Sequence, residues 1–384
     1  MLPLPPGDVE EMELVQKGGF GVVYRGRSQT LGMTVALKVI QGSYIEDLMK
    51  ELRKESNIML KASHPYVLHL LGVYEKREGD LIKPCLVMEY MPHGSLCTFL
   101  SSQPDVPCAL RFRILHQVVL GMKYLHSLQP PIIHRDLKPA NVLLNAYLDV
   151  KITDFGLSNI LGSSSSRHGS CAGTLAYMPP EAITDLNYKP TKAYDVYSFG
   201  ILMWSVFTGE NPYGNAPNHL IVLKVPEMQR PDETALNRWD GVKIMPEAKQ
   251  LMRKCWDGDA ECRPSFHDCY SVTSRSVKQY EGEMDSTVEK CLEHLRRPHP
   301  STKVDSDVSL RVSDFQQRYN QSRTPTLRDE ESGALNTSDD LSTFNEKTEF
   351  AGRLCVTAVY SNRVYVACVT RSHLTQGLLY SPIR

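Results

Sequence analysis

The sequence predicts an α+β chain of two unequal lobes with a polar tail, and three observations carry that reading. The first 90 residues hold short β-branched runs divided by turn residues, with one helical stretch among them. From Ser95 onward apolar residues recur at helical spacing, and near residue 275 the composition turns polar. Strands are predicted within Met12–Val23 and over Thr34–Ile40, Val67–Tyr74 and Ile82–Met88. A helix is predicted from Tyr44 to Leu60, where Ile45, Leu48, Leu52, Ser56 and Met59 share one face. Further helices are expected over Arg111–Ser127, Lys192–Thr208 and Pro246–Trp256, with a β-rich island at Val142–Ile152. The small lobe then spans residues 8–88 and the large one 92–275. Within 276–297, VEKCLEHL repeats apolar residues every three or four positions and predicts one more helix. Residues 298–384 read as a mostly disordered tail, dominated by Ser, Thr, Asp and Arg up to Glu349. In it, 354–369 holds two β-prone runs around Ser361-Asn362-Arg363, a hairpin pattern. The plainer reading of that stretch, an incidental apolar segment, is preferred to an assembly element.

Composition narrows the function classes. Forty-three basic and forty-four acidic residues give a net charge of −1, so no global field draws nucleic acid or an anionic membrane. No apolar stretch approaches the roughly 20 residues that a membrane helix needs. The first residues lack the pattern of a signal peptide, and Leu2 excludes myristoylation. Ten cysteines without zinc spacing read as reduced thiols, which points to the cytoplasm.

Five signals carry chemistry, in a fixed order. Lys17-Gly18-Gly19-Phe20-Gly21-Val22-Val23 lies between two strands, and its glycines let backbone amides approach phosphate oxygens; alone it also reads as a plain hairpin turn. Val35-Ala36-Leu37-Lys38 puts a lysine on the next strand, where its ammonium can bridge phosphates if a helix carboxylate holds it. Glu51 and Glu55 are i, i+4 on one helix face, and periodicity does not choose between them. His134-Arg135-Asp136-Leu137-Lys138-Pro139-Ala140-Asn141 gathers a carboxylate, an ammonium and a carboxamide on one loop. These can accept a hydroxyl proton, neutralise a transferring phosphoryl group and bind a divalent metal. Asp154-Phe155-Gly156 follows, with an acid that can hold metal against phosphates. Last, Gly173-Thr174-Leu175-Ala176-Tyr177-Met178-Pro179-Pro180-Glu181 reads as an extended docking segment anchored by Glu181, with Arg263 as the expected partner.

As an ordered set these residues resemble the protein-kinase signature, over roughly residues 8–275. LVMEYMPHGSL, YLHSLQPPIIHRDLKPANVLL, DVYSFGILMW and LMRKCWDGDAECRPSF resemble the receptor-interacting serine/threonine kinases of the tyrosine-kinase-like group, in the manner of its necroptotic branch. The resemblance implies a bilobal kinase using ATP and Mg²⁺, with Asp136, Lys138, Lys38 and Glu55 as catalytic residues and Asn141 and Asp154 on the metal. It implies a nucleotide site of Val15, Gly18, Gly19, Gly21, Val23, Ala36, Lys38 and Met88, with Glu89 and Met91 offering hinge backbone groups. Implied partners are protein substrates, among them a mixed-lineage kinase domain-like pseudokinase and the chain itself, and homo- or hetero-oligomers with related kinases. The implied setting is inflammatory or necroptotic cell-death signalling.

Three departures stand out. Gln16 replaces the first glycine of G-x-G-x-x-G, and Pro179 replaces the alanine of A-P-E. The tail lacks the family's amyloid-forming I/V-Q-I/V/L-G motif; Leu374-Thr375-Gln376-Gly377 does not fit it. The alternative from another class is a catalytically weak kinase-fold scaffold, which a lost catalytic residue would mark; none is lost. Finally, Gly162–Ser170 is polar and serine-rich, and phosphorylation within Ser163–Ser170 is expected to pair with Arg135.

Overall fold

The structure is a computed structural model. It describes residues 3–296 apart from 19–20, 40–44, 79–80, 104, 156–158, 161–174, 186 and 215, together with 347–350, 353–360 and 363–370. Two units are compact in themselves, residues 1–300 and 301–384.

The N-terminal lobe is one antiparallel sheet plus one helix. Strands β1 (Val9–Gly18), β2 (Gly21–Ser28), β3 (Met33–Val39), β4 (Leu70–Glu78) and β5 (Leu81–Glu89) lie in the order β1-β2-β3-β5-β4, and α1 (Ile45–Lys61) follows β3. Alternation sorts the side chains of the sheet onto two faces. Val35, Leu37, Val39, Cys85 and Val87 pack with Leu4, Val9 and Tyr74 in a small core of their own. Leu86 and Met88 belong instead to the large core that continues into the second lobe.

The C-terminal lobe is helical. After α2 (Leu96–Ser102) and α3 (Cys108–Ser127) come the short strands β6 (Ile132–Ile133), β7 (Val142–Leu144), β8 (Val150–Ile152) and β9 (Asn159–Ile160), with β6 pairing β9 and β7 pairing β8. Helices α4 (Pro180–Thr184), α5 (Lys192–Thr208), α6 (Asn218–Lys224), α7 (Met245–Cys255), α8 (Phe266–Gln279) and α9 (Met284–Arg296) complete it. Helix α5 is buried on every side from Tyr194 to Thr208, which is why its sequence is nearly all apolar; Gly209, left-handed at φ 77°, ends it. Gly200 lets α7 come close, since a Cβ there would meet Trp256 N at 2.9 Å.

Two seams join the lobes behind α1. Leu68 N donates to Ile152 O at 2.9 Å and Ile152 N to Tyr66 O at 2.9 Å. Beside them Tyr124 Oη donates to Lys61 O at 3.2 Å, and the His64 ring stacks on Tyr124 at 4.7 Å. These contacts correct the strand expected over Val67–Tyr74: residues 66–68 pair with β8 of the other lobe, and β4 begins only at Leu70. Helix α8 runs through residue 275, where the composition changes, and α9 occupies the stretch in which one further helix was expected.

In the second unit β10 (Lys347–Phe350), β11 (Arg353–Tyr360) and β12 (Arg363–Thr370) form an antiparallel sheet, and the β11–β12 pair is the hairpin its pattern predicts.

Candidate active site

Lys38 faces the cleft because β3 is held in register between Val23 of β2 and Leu86 of β5. Its ammonium lies 2.7 Å from Glu55 Oε1 and 3.2 Å from Asp154 Oδ1, and all three side chains are largely buried. Burial alone lowers the pKa of Lys38, but the carboxylates of Glu55 and Asp154 outweigh it and hold the group above the ordinary lysine value. It therefore stays charged. Of the two candidate glutamates, Glu55 makes this contact; the side chain of Glu51 lies outside the described residues.

The loop between β6 and β7 collects the second group. Asp136, 2% exposed, receives Lys138 Nζ at 2.9 and 2.8 Å on its two oxygens. Asn141 Nδ2 donates to Asp136 O at 2.8 Å and to Asp136 Oδ2 at 2.7 Å, which turns the amide oxygen away from Asp136. Thr153 N donates to Asn141 O at 3.0 Å, tying this loop to the segment that carries Asp154. Asp154 itself is left-handed, φ 69°.

Beneath the loop is a residue that sequence reasoning passed over. Asp195 Oδ2 accepts from His134 N at 2.8 Å and meets His126 Nε2 at 2.8 Å, while Oδ1 accepts from Arg135 N at 2.7 Å. Arg135 holds φ 68°, and its Nε is buried without a partner among the described residues. His134 links the loop to the segment that follows β8, with Nε2 at 2.9 Å from Thr153 O and Nδ1 accepting from Asp136 N at 3.3 Å. The signal for Asp195 was present: an acid in the first turn of an otherwise apolar helix, 0% exposed, needs a buried purpose.

The residues expected on the nucleotide side separate into those gathered and those not. Pairing of Ala36 with Met88 and of Lys38 with Val23 sets all four on one face of the sheet. Met88 and Met91 are both buried. Gly21, at φ 130°, lies where a Cβ would come 2.7 Å from Val39 O, so backbone occupies the space a side chain needs. Gly18 pairs with Gly21 across the turn, and Gly19 lies outside the described residues. Val15 sits at a register shift between Leu14 and Gln16 and is 51% exposed. Glu89 Oε1 meets Lys151 Nζ at 2.8 Å and accepts from His69 N at 2.9 Å, which holds the carboxylate against these partners. Ser163–Ser170 also falls outside the described residues.

Glu181 meets the partner expected of it. Arg263 Nη1 and Nη2 donate to its two oxygens at 2.7 and 2.8 Å, and the guanidinium also reaches Ala193 O, Asp257 O and Gly258 O. With the Arg263 side chain at 0% exposure this is an internal anchor rather than a surface pair.

Residues 9–272 match the family model described as protein tyrosine and serine/threonine kinase. The chain belongs to the protein kinase family. Among curated proteins, the kinase is 40% identical over 305 residues to human receptor-interacting serine/threonine-protein kinase 3, covering 77% of this chain and 58% of that one. It is 38% identical over 319 residues to the rat protein of the same name, covering 80% and 63%. To human receptor-interacting serine/threonine-protein kinase 4 it is 39% identical over 312 residues, covering 80% and 36%. It therefore falls among the receptor-interacting serine/threonine kinases while spanning about three-fifths, or less, of the length of these relatives.

The kinase's residues fit the cofactor pair that its family implies. No cluster of three or more acidic, His or Cys side chains that could hold a metal by themselves occurs among the described residues. A Mg²⁺ ion bound through one or two protein oxygens and nucleotide phosphates needs no such cage. Asp154 and the freed amide oxygen of Asn141 supply that kind of donor.

Proposed function

We propose that this kinase transfers the γ-phosphoryl group of ATP to serine or threonine hydroxyls of proteins. The contact of Lys38 with both Glu55 and Asp154 carries the reading, since it brings strand, helix and metal-side loop to one point. Bound Mg·ATP supplies the transferable phosphoryl group and the metal charge that neutralises it. Lys38, kept cationic by its two carboxylates, orients the α- and β-phosphates. Asp136 accepts the substrate hydroxyl proton, its oxygens fixed by Lys138 and Asn141. Lys138 then stands beside that carboxylate to offset charge on the transferring group. The residues mostly position groups and balance charge, as a loose transition state requires.

By its likeness to the receptor-interacting kinases, the chain acts in the cytoplasm in inflammatory or necroptotic signalling. Its substrates are then a mixed-lineage kinase domain-like pseudokinase and the chain itself, and it assembles with itself or with related kinases. The test is a radiolabelled-ATP assay on the full chain against Asp136→Asn. Loss of transfer with an unchanged circular-dichroism spectrum is expected, and wild-type transfer by the variant would sink the reading.

A further inference from the structure

A cavity of about 370 Å³ opens where α3, α5 and α8 meet, and nothing in the proposed phosphoryl transfer uses it. Its volume lies at the lower end of the range for small-ligand sites. Val196 and Phe266, both buried, supply an apolar floor, and Lys123, Lys192 and His267 stand around it.

The charge there is unbalanced. Among the described residues no carboxylate lines the cavity, and Lys192 has no ion-pair partner. Lys123 Nζ lies 4.3 Å over the Tyr270 ring, a contact that leaves its charge unneutralised. The nearby acids are committed elsewhere: Asp268 accepts from Ser265 N and Oγ at 2.9 and 2.6 Å, and Asp195 holds the loop described above. Helix α8 is closed by the Ser265–Asp268 capping box, but α5 starts after Thr191 with no side-chain cap. Its first-turn amides, at Lys192 and Ala193, therefore add positive potential to the cavity wall.

His126 supplies an independent pointer. It lines the cavity yet is only 7% exposed; Nε2 is spent on Asp195, and Nδ1 meets no partner among the described residues. A ring nitrogen in the cavity wall that has no protein partner can hydrogen-bond to an occupant.

We infer that this cavity binds an organic phosphate monoester, its dianion between Lys123, Lys192 and the start of α5, and its apolar body on Val196 and Phe266. Such an occupant stands at one end of a relay, His126 to Asp195 to the His134 and Arg135 amides, that ends in the catalytic loop. The phosphate belongs either to a phosphorylated protein side chain or to a free metabolite.

The probe is phenyl phosphate, titrated by calorimetry into the full chain with a non-hydrolysable ATP analogue and Mg²⁺ already saturating. Saturable binding is expected, with inorganic phosphate at least threefold weaker and benzyl alcohol silent. Lys123→Gln/Lys192→Gln should weaken phenyl phosphate tenfold or more; both positions are solvent-accessible, and Lys192→Gln alone should show part of the loss. Retained affinity in the double variant, or no saturable binding at all, overturns the inference. A phosphotyrosine peptide that binds more tightly than phenyl phosphate assigns the site to a protein partner, and one that binds more weakly assigns it to a metabolite.

Discussion

Replacing Asp195 with Asn keeps the shape of the side chain and removes its charge, so it isolates what this carboxylate does. One carboxylate answers three donors here, His134 N, His126 Nε2 and Arg135 N. An amide has a single acceptor oxygen. Its better orientation turns that oxygen toward His134 and His126 and sets its own NH₂ against the Arg135 amide. One charge-assisted bond is lost outright, about 1.5–3 kcal/mol, and the two survivors fall to roughly half strength as neutral bonds. The sum is on the order of 3 kcal/mol, a large share of the roughly 5–15 kcal/mol that holds a domain together. Arg135 suffers most, since its left-handed backbone carries a strain of about 1–2 kcal/mol that its amide bond offsets. With the bond gone, Asp136 next to it loses its position. Asp195→Asn should therefore lower the unfolding free energy in urea by about 3 kcal/mol and cut kcat about tenfold or more. KM for ATP should stay near wild type, because no nucleotide-side residue moves. A variant within about 0.5 kcal/mol of wild type and with full kcat refutes this account of the loop.

Other outcomes follow from the same geometry. Gly21→Ala should lower both stability and ATP affinity, read by thermal melting and nucleotide titration, because its Cβ has only 2.7 Å to Val39 O. Arg263→Lys keeps a positive charge but cannot reproduce the two-pronged contact with Glu181; a loss of about 1–3 kcal/mol in urea unfolding is expected, and an unchanged midpoint counts against the anchor. Burial pulls the pKa values of His64 and His116 below the ordinary histidine value, with Lys151 adding to the effect at His64. The unfolded chain then takes up those protons first. Stability from these groups is complete above about pH 6.5 and declines as the pH falls through that value. The urea midpoint should be lower at pH 5.5 than at pH 7.5, and the difference should shrink in His64→Gln/His116→Gln.

Much of this molecule could be read from residue order, for physical reasons that also mark where reading stops. Helix α5 was predictable to the residue because a helix buried on every side writes itself as one apolar block. Helix α8 was missed because Thr273 and Ser276, both buried, stand where its apolar face is expected, and they bond back to Cys269 O and Val272 O instead. The start of β4 was misplaced because β-branched composition does not say which lobe will accept the hydrogen bonds of residues 66–68. In the site, motif spacing placed Lys38, Asp136, Asn141 and Asp154 together, whereas the choice of Glu55 from its helix face needed either the family resemblance or the fold. Asp195 stood out as an acid in an apolar helix, but its role needed the fold, since its three partners come from two distant segments.

The seams behind α1 give the cleft a mechanical property. Lys61 and His64 are fastened to Tyr124, so the C-terminal end of α1 is a fulcrum and the rest of the helix is a lever arm. Glu55 stands six residues from that fulcrum, about 9 Å along the helix. A tilt of about 10° then carries its carboxylate some 1.6 Å by simple trigonometry on that length. The contact with Lys38 is only 2.7 Å long, so so small a rotation is enough to break it. The Lys38–Glu55 bond is thus a sensitive gauge of the angle of α1, and whatever presses on the N-terminal end of the helix acts on it with leverage.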